Sequence, residues 1–326
     1  NDIVTINLQN NQVKNIDNPI RQADLYFPKF LFLEKRDQNE LNFNFQIYIN
    51  NQIIWDIPSD IIEDNNIILQ DAEIGKYRIN IPFEIFCQDM IPILALQFSE
   101  ISFKIISDNY ILNIKVVCEL KYLSVPVRNR YMQQDHDIPI RQIQKQTLNY
   151  IGPTTFLDNG LVQSNTYGWL DFDLLSQGIF IKTINKITHI KLIINNLIRF
   201  DLDSDLLTLY TRKISSKVTY FGFNLNPDYF VYELNSNINF SRLFNIKLEI
   251  TYLTTYNNIN TNRLNNQCII YGLSHNIFRI NSGIGSPVWV GAREIRRQNE
   301  NENEGEGEAN GEGNGEGEGN GEGEGE

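Results

Sequence analysis

Histidine, cysteine and methionine are scarce in this chain of 326 residues, which has three, three and two of them. That scarcity narrows the chemistry. His136, His189 and His275 each lie more than four residues from another histidine or a cysteine, so the short-range zinc spacings are missing and no metal or cofactor site is expected. Cys87, Cys118 and Cys268 are odd in number, far apart and set in apolar, strand-like runs. They read as buried thiols in a reducing compartment, not as a disulfide framework. No apolar run approaches the roughly 20 residues that span a bilayer. The opening NDIVTINLQN has no basic region followed by an apolar one, so neither a secretory nor a membrane fate is expected. Positive charge is also short. Residues 298–326 hold eleven of the forty acids and no base, which leaves 29 acids against 28 bases in the body. A nearly neutral body has no general electrostatic reason to bind nucleic acid, which needs a basic face to release counterions.

Helical periodicity is sparse too, with modest candidates only at 59–64 and 135–148. Strand patterns fill the rest. In LNFNFQIYIN, Leu41, Phe43, Phe45, Ile47 and Ile49 share one face while Asn42, Asn44, Gln46 and Asn50 share the other, the period of two of a half-buried strand. Ile246, Leu248, Ile250 and Tyr252 repeat it. Further β-branched and aromatic runs are ADLYFPKFLFLE, EISFKIIS, YILNIKVVCELKYL, HIKLIINNLIRF, KVTYFGFNL and YFVYEL, separated by Asn, Asp, Gly and Pro clusters. Many short strands with polar connections predict antiparallel sandwiches, jelly-roll or immunoglobulin-like. A sandwich needs about 100 residues, so the body has room for two. The composition places a first sandwich over 1–121, a more polar connector over 122–147, a second sandwich over 148–297 and a solvated Gly/Glu/Asn tail over 298–326.

Candidate chemical groups have plain alternatives. Gly283-Ile284-Gly285-Ser286 has neither the lysine nor the helix that follows in a phosphate loop, and reads as a turn between strands. Asp171 and Asp173, and Asp201, Asp203 and Asp205, lack the glycine and terminal glutamate of a calcium loop and read as solvated turns. Arg128, Arg130, Arg293, Arg296 and Arg297 offer basic groups to an acidic partner, though surface arginines are common. Asn239-Phe240-Ser241 fits a glycosylation acceptor, which cytoplasmic synthesis makes accidental. No catalytic residues are assigned.

Five segments in order carry a resemblance. They are IPFEIFCQDMIPILALQF (81–98, with Pro82, Phe83, Phe86 and Cys87), YLSVPVRNRYM, LIINNLIRF, the block Asn239, Phe240, Ser241 and Arg242, and the ending with Tyr271, Asn276, Arg279, Ser282, Gly283 and Gly285. Together they resemble the major capsid protein family of nucleocytoplasmic large DNA viruses, the double jelly-roll capsid proteins, over about residues 40 to 290. Departures are Glu84 and Gln88 for the usual Trp and Arg, Asn196 for a Gly and Ser286 for the last Gly. The resemblance implies an all-β fold of two consecutive jelly rolls. It also implies a virion structural protein, not an enzyme, that associates with itself into pseudo-hexagonal homotrimers and with other capsid proteins. In the resembling family the first block closes the first jelly roll; with only about 80 residues before it here, that roll is expected to be compact. Arg279 is expected at a strand end, held by carbonyls or carboxylates, with Gly283 and Gly285 supplying positive φ. Two other classes stay open. One is a β-sandwich that binds glycans or a receptor, although Trp55, Trp169 and Trp289 do not cluster in sequence; the other is a jelly-roll enzyme.

Overall fold

A computed structural model describes residues 2–289 except 10, 16–24, 36–40, 72–74, 88, 90, 108–110, 149, 158–160, 233–235 and 256–267. Arg293, Arg296, Arg297 and the acidic 298–326 segment lie outside the described residues. Four antiparallel sheets make up the body. The first contains, in spatial order, β1 (Asp2–Leu8), β9 (Ile111–Lys121), β3 (Leu25–Lys35), β7 (Lys76–Asn80) and β6 (Ile67–Asp71). The second contains β2 (Lys14–Asn15), β8 (Ile101–Ile106), β4 (Asn44–Ile49) and β5 (Gln52–Pro58). The third runs through β10 (His136–Leu148), β20 (Cys268–Asn281), β13 (Leu175–Lys182), β17 (Val218–Gly222) and β16 (Thr211–Lys213). To it are added β18 (Ile238–Asn239) on β13 and β21 (Ile284–Pro287) on β20. The fourth contains β11 (Tyr150–Phe156), β12 (Leu161–Trp169), β19 (Ile246–Thr255), β14 (Lys186–Ile194) and β15 (Leu197–Leu202).

The same permutation occurs twice. In the first half the principal strands in chain order are β1, β2, β3, β4, β5, β7, β8 and β9. The first, last, third and sixth of these form one sheet, and the second, seventh, fourth and fifth form the other. In the second half β10, β12, β13, β14, β15, β17, β19 and β20 repeat that arrangement strand for strand. Eight strands wound in this way are a jelly roll. The chain is a double jelly roll.

Local chemistry sets the turns. The β4–β5, β14–β15 and β20–β21 hairpins close through the two-residue loops Asn50-Asn51, Asn195-Asn196 and Ser282-Gly283, each with both φ values positive. That is the mirror-image turn whose twist matches right-handed strands, and asparagine and glycine tolerate it best. Asn196 can therefore replace the glycine of the resembling family.

The two cores differ. Between the third and fourth sheets, Ile179, Ile181, Ile190, Leu192, Leu248, Ile250 and Ile270 pack together. The other face of the third sheet, with Phe180, Tyr220, Tyr271, Leu273 and Phe278, joins the core of the first jelly roll beside Trp55, Phe83 and Phe86. The third sheet is thus covered on both faces.

Several expectations are corrected. Residues 136–148 form β10, not a helix, because pairing along the whole of β20 satisfies its backbone. The helix of this region is α1 (Val125–Gln133), with Pro126 in its first turn. Residues 59–66 form two short 3-10 turns, Ser59–Ile61 and Asp64–Asn66. The block at 81–98 does not close the first jelly roll: it lies between β7 and β8, and nine strands form that unit. Tyr229 to Tyr232 form turns instead of a strand, and their carbonyls have another use, described next.

Candidate functional site: the seam between the jelly rolls

At the seam, β10 carries one cation that is fully buried. Arg141 has no exposed surface. Its Nη1 donates to Gln177 Oε1 at 3.0 Å, Tyr229 O at 2.8 Å and Val231 O at 3.2 Å. Its Nη2 donates to Phe230 O at 3.2 Å and, at 3.5 Å, reaches Glu84 O of the first jelly roll. The Tyr232 ring lies 4.8 Å from the guanidinium, and the Tyr232 hydroxyl donates to Ile140 O at 2.6 Å. Burial pushes the Arg141 pKa down to about 10, which still leaves it charged at neutral pH. Carbonyl dipoles around one cation make a rigid joint with no proton to exchange.

The first predicted block meets this joint directly. Pro82 precedes the 3-10 turn Phe83–Ile85, and Phe83, Phe86 and Cys87 are buried. Arg141 N donates to Phe86 O at 2.8 Å, and Cys87 bridges Ile140. The Cys87 thiol donates to Asp89 O at 2.8 Å, while burial pushes its pKa up to about 12 and makes it unreactive. All three cysteines are free and buried.

Beyond Arg141, charge is sorted by side. Asp60 receives Lys182 Nζ at 2.7 and 2.8 Å and the Tyr271 hydroxyl at 2.6 Å. Glu63 accepts from the Tyr229 hydroxyl and pairs with Arg212 at 3.3 Å. Burial, with Asp60 beside it, raises the Tyr271 pKa, and burial, with Glu63 beside it, raises that of Tyr229. Gln142 Nε2 donates to Ile54 O at 2.9 Å. In these pairs the acids come from the segment after β5 and the bases from the third sheet. Trp55 completes the seam, its ring 5.1 Å from Phe83 and 6.4 Å from Phe278.

The fifth block is at the same seam. Asn276, 1% exposed, donates from Nδ2 to Gln142 Oε1 and Trp289 O, both at 2.7 Å, and so ties β20 to β10 and to the end of the described chain. Gly283 has φ +84° and its carbonyl accepts from Phe98 N at 3.0 Å. Gly285 is corrected: it lies in β21 without positive φ. It is glycine because a Cβ there would come within 2.5 Å of both Leu96 and Phe278. Arg279 is held as expected by a carboxylate, Asp137 at 2.7 and 2.8 Å, but this pair is about half exposed and takes no part in the seam.

The fourth block lies elsewhere. Phe240 packs in the second core, 5.4 Å from Phe172. Ser241 Oγ donates to Asn239 Oδ1 at 2.6 Å, and Asn239 and Arg242 line an open cavity of about 520 Å³ together with Leu197 and Ile198 of the third block. The structure therefore joins the first block to the fifth and the third to the fourth. Sequence reading missed Arg141, Asp60, Glu63, Lys182 and Arg212; the one local signal was an arginine between the apolar Ile140 and Ile143 of β10. Asp203 is the N-cap of α2 (Ser204–Tyr210), accepting from Asp205 N and Leu206 N, instead of forming a cation loop. Among the described residues no three His, Cys, Asp or Glu side chains gather where they could hold a metal ion, and no helix is long and apolar enough to cross a membrane.

No family model and no curated protein matches the sequence. Solved structures do. PBCV-1 VP54, in a crystal structure fitted into a reconstruction of the virophage Sputnik, is 16% identical with a TM-score of 0.64, over 89% of this chain and 97% of VP54. A quasi-atomic model of the PBCV-1 virus capsid is also 16% identical, with a TM-score of 0.61 over 89% of this chain and 97% of that one. The double jelly roll is thus matched along nearly its whole length.

Proposed function

We propose that this chain is a capsid subunit: a virion structural protein, not an enzyme, made in the host cytoplasm. It associates with itself into homotrimers of pseudo-hexagonal outline and, with other capsid proteins, tiles an icosahedral shell. As domains, we take a first jelly roll over 1–121 and a second that takes up β10 from the 122–147 connector and continues through 148–297. The observation that carries the reading is the seam. Two complete jelly rolls are locked side by side by a buried cation, sorted ion pairs and shared aromatic packing, in a fold matched over 89% of the chain by the PBCV-1 capsid model. Close packing of buried side chains from both barrels, Trp55, Phe83, Tyr271 and Phe278 among them, makes the two barrels one stiff block, and a shell tile has to be stiff. Two similar barrels per chain also let three chains present six similar walls around one axis.

Sedimentation equilibrium tests the reading. The expected result is a trimer across micromolar concentrations; a monomer throughout that range contradicts it.

A further inference from the structure

Trp169 has no tryptophan near it in sequence, yet folding surrounds it with aromatic rings. On the outer face of the fourth sheet Tyr150 of β11 lies opposite Tyr167 of β12, and Trp169 follows two residues further along β12. The tyrosine rings are nearly parallel with centroids 5.4 Å apart. The Trp169 ring meets Tyr150 at 86° and 5.6 Å and Tyr167 at 74° and 6.4 Å. Lys247 Nζ sits 4.5 Å from the Tyr167 centroid, so that ring is held by three neighbours. Tyr150 and Trp169 remain 53% and 49% exposed and meet as a corner. Rings packed against one another on paired strands lose little freedom when something binds them. A bulge between Ile151 and Thr154 sets Gly152 beside the corner. A Cβ there would lie 3.1 Å from Asn165 Cβ and 3.8 Å from the Tyr167 ring, so the glycine keeps the floor next to the rings open.

We propose that this corner binds a neutral oligosaccharide, the C–H face of one pyranose ring against an aromatic face and its hydroxyls toward Lys247 and Glu249, which lie opposite Trp169 and Tyr167 on β19. Charge and area choose this occupant. The charges beside the rings are already matched: Lys247 pairs with Glu249 at 2.6 Å and, on the next strand, Lys191 with Asp201 at 3.6 Å. Asp171, exposed and two residues past Trp169, adds a further acid. Nucleic acid or an anionic lipid surface finds no attraction there. An uncharged polyol loses nothing by it, and electron-rich ring faces suit its weakly positive C–H face. With half of each ring open, Tyr150 and Trp169 offer about 200 Å² of aromatic surface, against the about 800 Å² per partner that a stable protein interface buries. Ile151 and Phe156 do not enlarge the corner, because they share the face of their partners Thr166 and Val162, which point into the sandwich. The inference goes beyond the capsid reading and needs only one chain.

The test probes an array of neutral glucan, chitin, mannan and galactan oligosaccharides, printed beside sialylated and sulfated ones, with the full-length protein in the oligomeric state it adopts. The strongest neutral oligosaccharide is then titrated while tryptophan emission is followed. Binding confined to neutral oligosaccharides, with a change in emission, is expected. Trp169→Ala and Tyr150→Ala are each expected to weaken it at least about tenfold, the loss typical of an aromatic anchor. Trp169→Phe is expected to keep most of the affinity and lose the emission change, which decides the matter if an alanine variant fails to fold by circular dichroism melting. Ile151→Ser, on the other face of β11, is expected to bind like the wild type. No neutral oligosaccharide bound at millimolar concentration, binding confined to anionic glycans, or binding undiminished in folded Trp169→Ala and Tyr150→Ala overturns the inference. So does capture by phosphatidylcholine vesicles that Trp169→Ala abolishes, which would make the corner a lipid contact.

Discussion

Two arginines stand on neighbouring strands at opposite extremes. Arg279 of β20 lies in solvent with Asp137 opposite it on β10, whereas Arg141, also on β10, is sealed under the 229–232 turns. The exposed pair has good bidentate geometry, and its partner's pull holds the Asp137 carboxyl below the usual range. Yet water screens it, and such pairs add little to stability. Among the described residues Arg141 has carbonyls on several sides and no carboxylate in its hydrogen-bonding shell, and removing it would orphan those carbonyls in a buried place. Geometry alone does not rank an interaction. Burial does.

Replacing each arginine breaks that comparison most strongly. Arg141→Leu is expected to lower unfolding free energy by about 1–3 kcal/mol for each buried carbonyl that it leaves without a donor. Arg279→Gln is expected to leave the denaturation midpoint where it was. Urea titrations of both variants check this, and equal losses would erase the distinction.

Next in size is a test of the doubly covered third sheet. Phe180 faces the seam and Ile179 the second core, and both are fully buried. Phe180→Ala is expected to cost about 3–5 kcal/mol and Ile179→Ala about 2–5 kcal/mol by the same titration. In a sheet with one wet face one of two adjacent residues would be nearly silent, so a silent Phe180→Ala contradicts the seam.

The smallest effect concerns Asp56 on the seam side of β5. Burial raises its pKa, ahead of the opposing pull of Gln46, Lys145 and Asn44. With the folded value above the unfolded one of about 4, its contribution is fully present below pH 4 and is lost as pH rises through the folded value. Asp56→Asn is therefore expected to raise the melting temperature at pH 7 and to lose that gain as pH falls toward 4. A gain that does not change with pH would place the cause elsewhere.

These contrasts also explain what the sequence could say. Strands with one buried face wrote their alternation plainly: Phe43, Phe45, Ile47 and Ile49 are all buried, as are Ile246, Leu248, Ile250 and Tyr252. The third sheet lost its alternation because it has two buried faces, so β13 buries Ile179, Phe180 and Ile181 in succession. β10, with arginine and glutamines where the seam needs hydrogen bonds, imitated a helix. Within the site, short motifs marked Phe83, Phe86, Cys87, Asn276 and Gly283, whose constraints are local. Asp60 and Lys182, 122 positions apart, and Glu63 and Arg212, 149 apart, have meaning only after folding brings them together. Gly285 was noticed for the wrong reason, since close approach of Leu96 and Phe278 and not backbone sign requires it.

The most direct test of the central claim is to image the purified full-length chain by electron microscopy and average the particles face-on. The account predicts a three-fold particle with six barrels at its rim, the two from each chain touching. Single barrels that tumble independently on a string, or particles without a threefold axis, would contradict it.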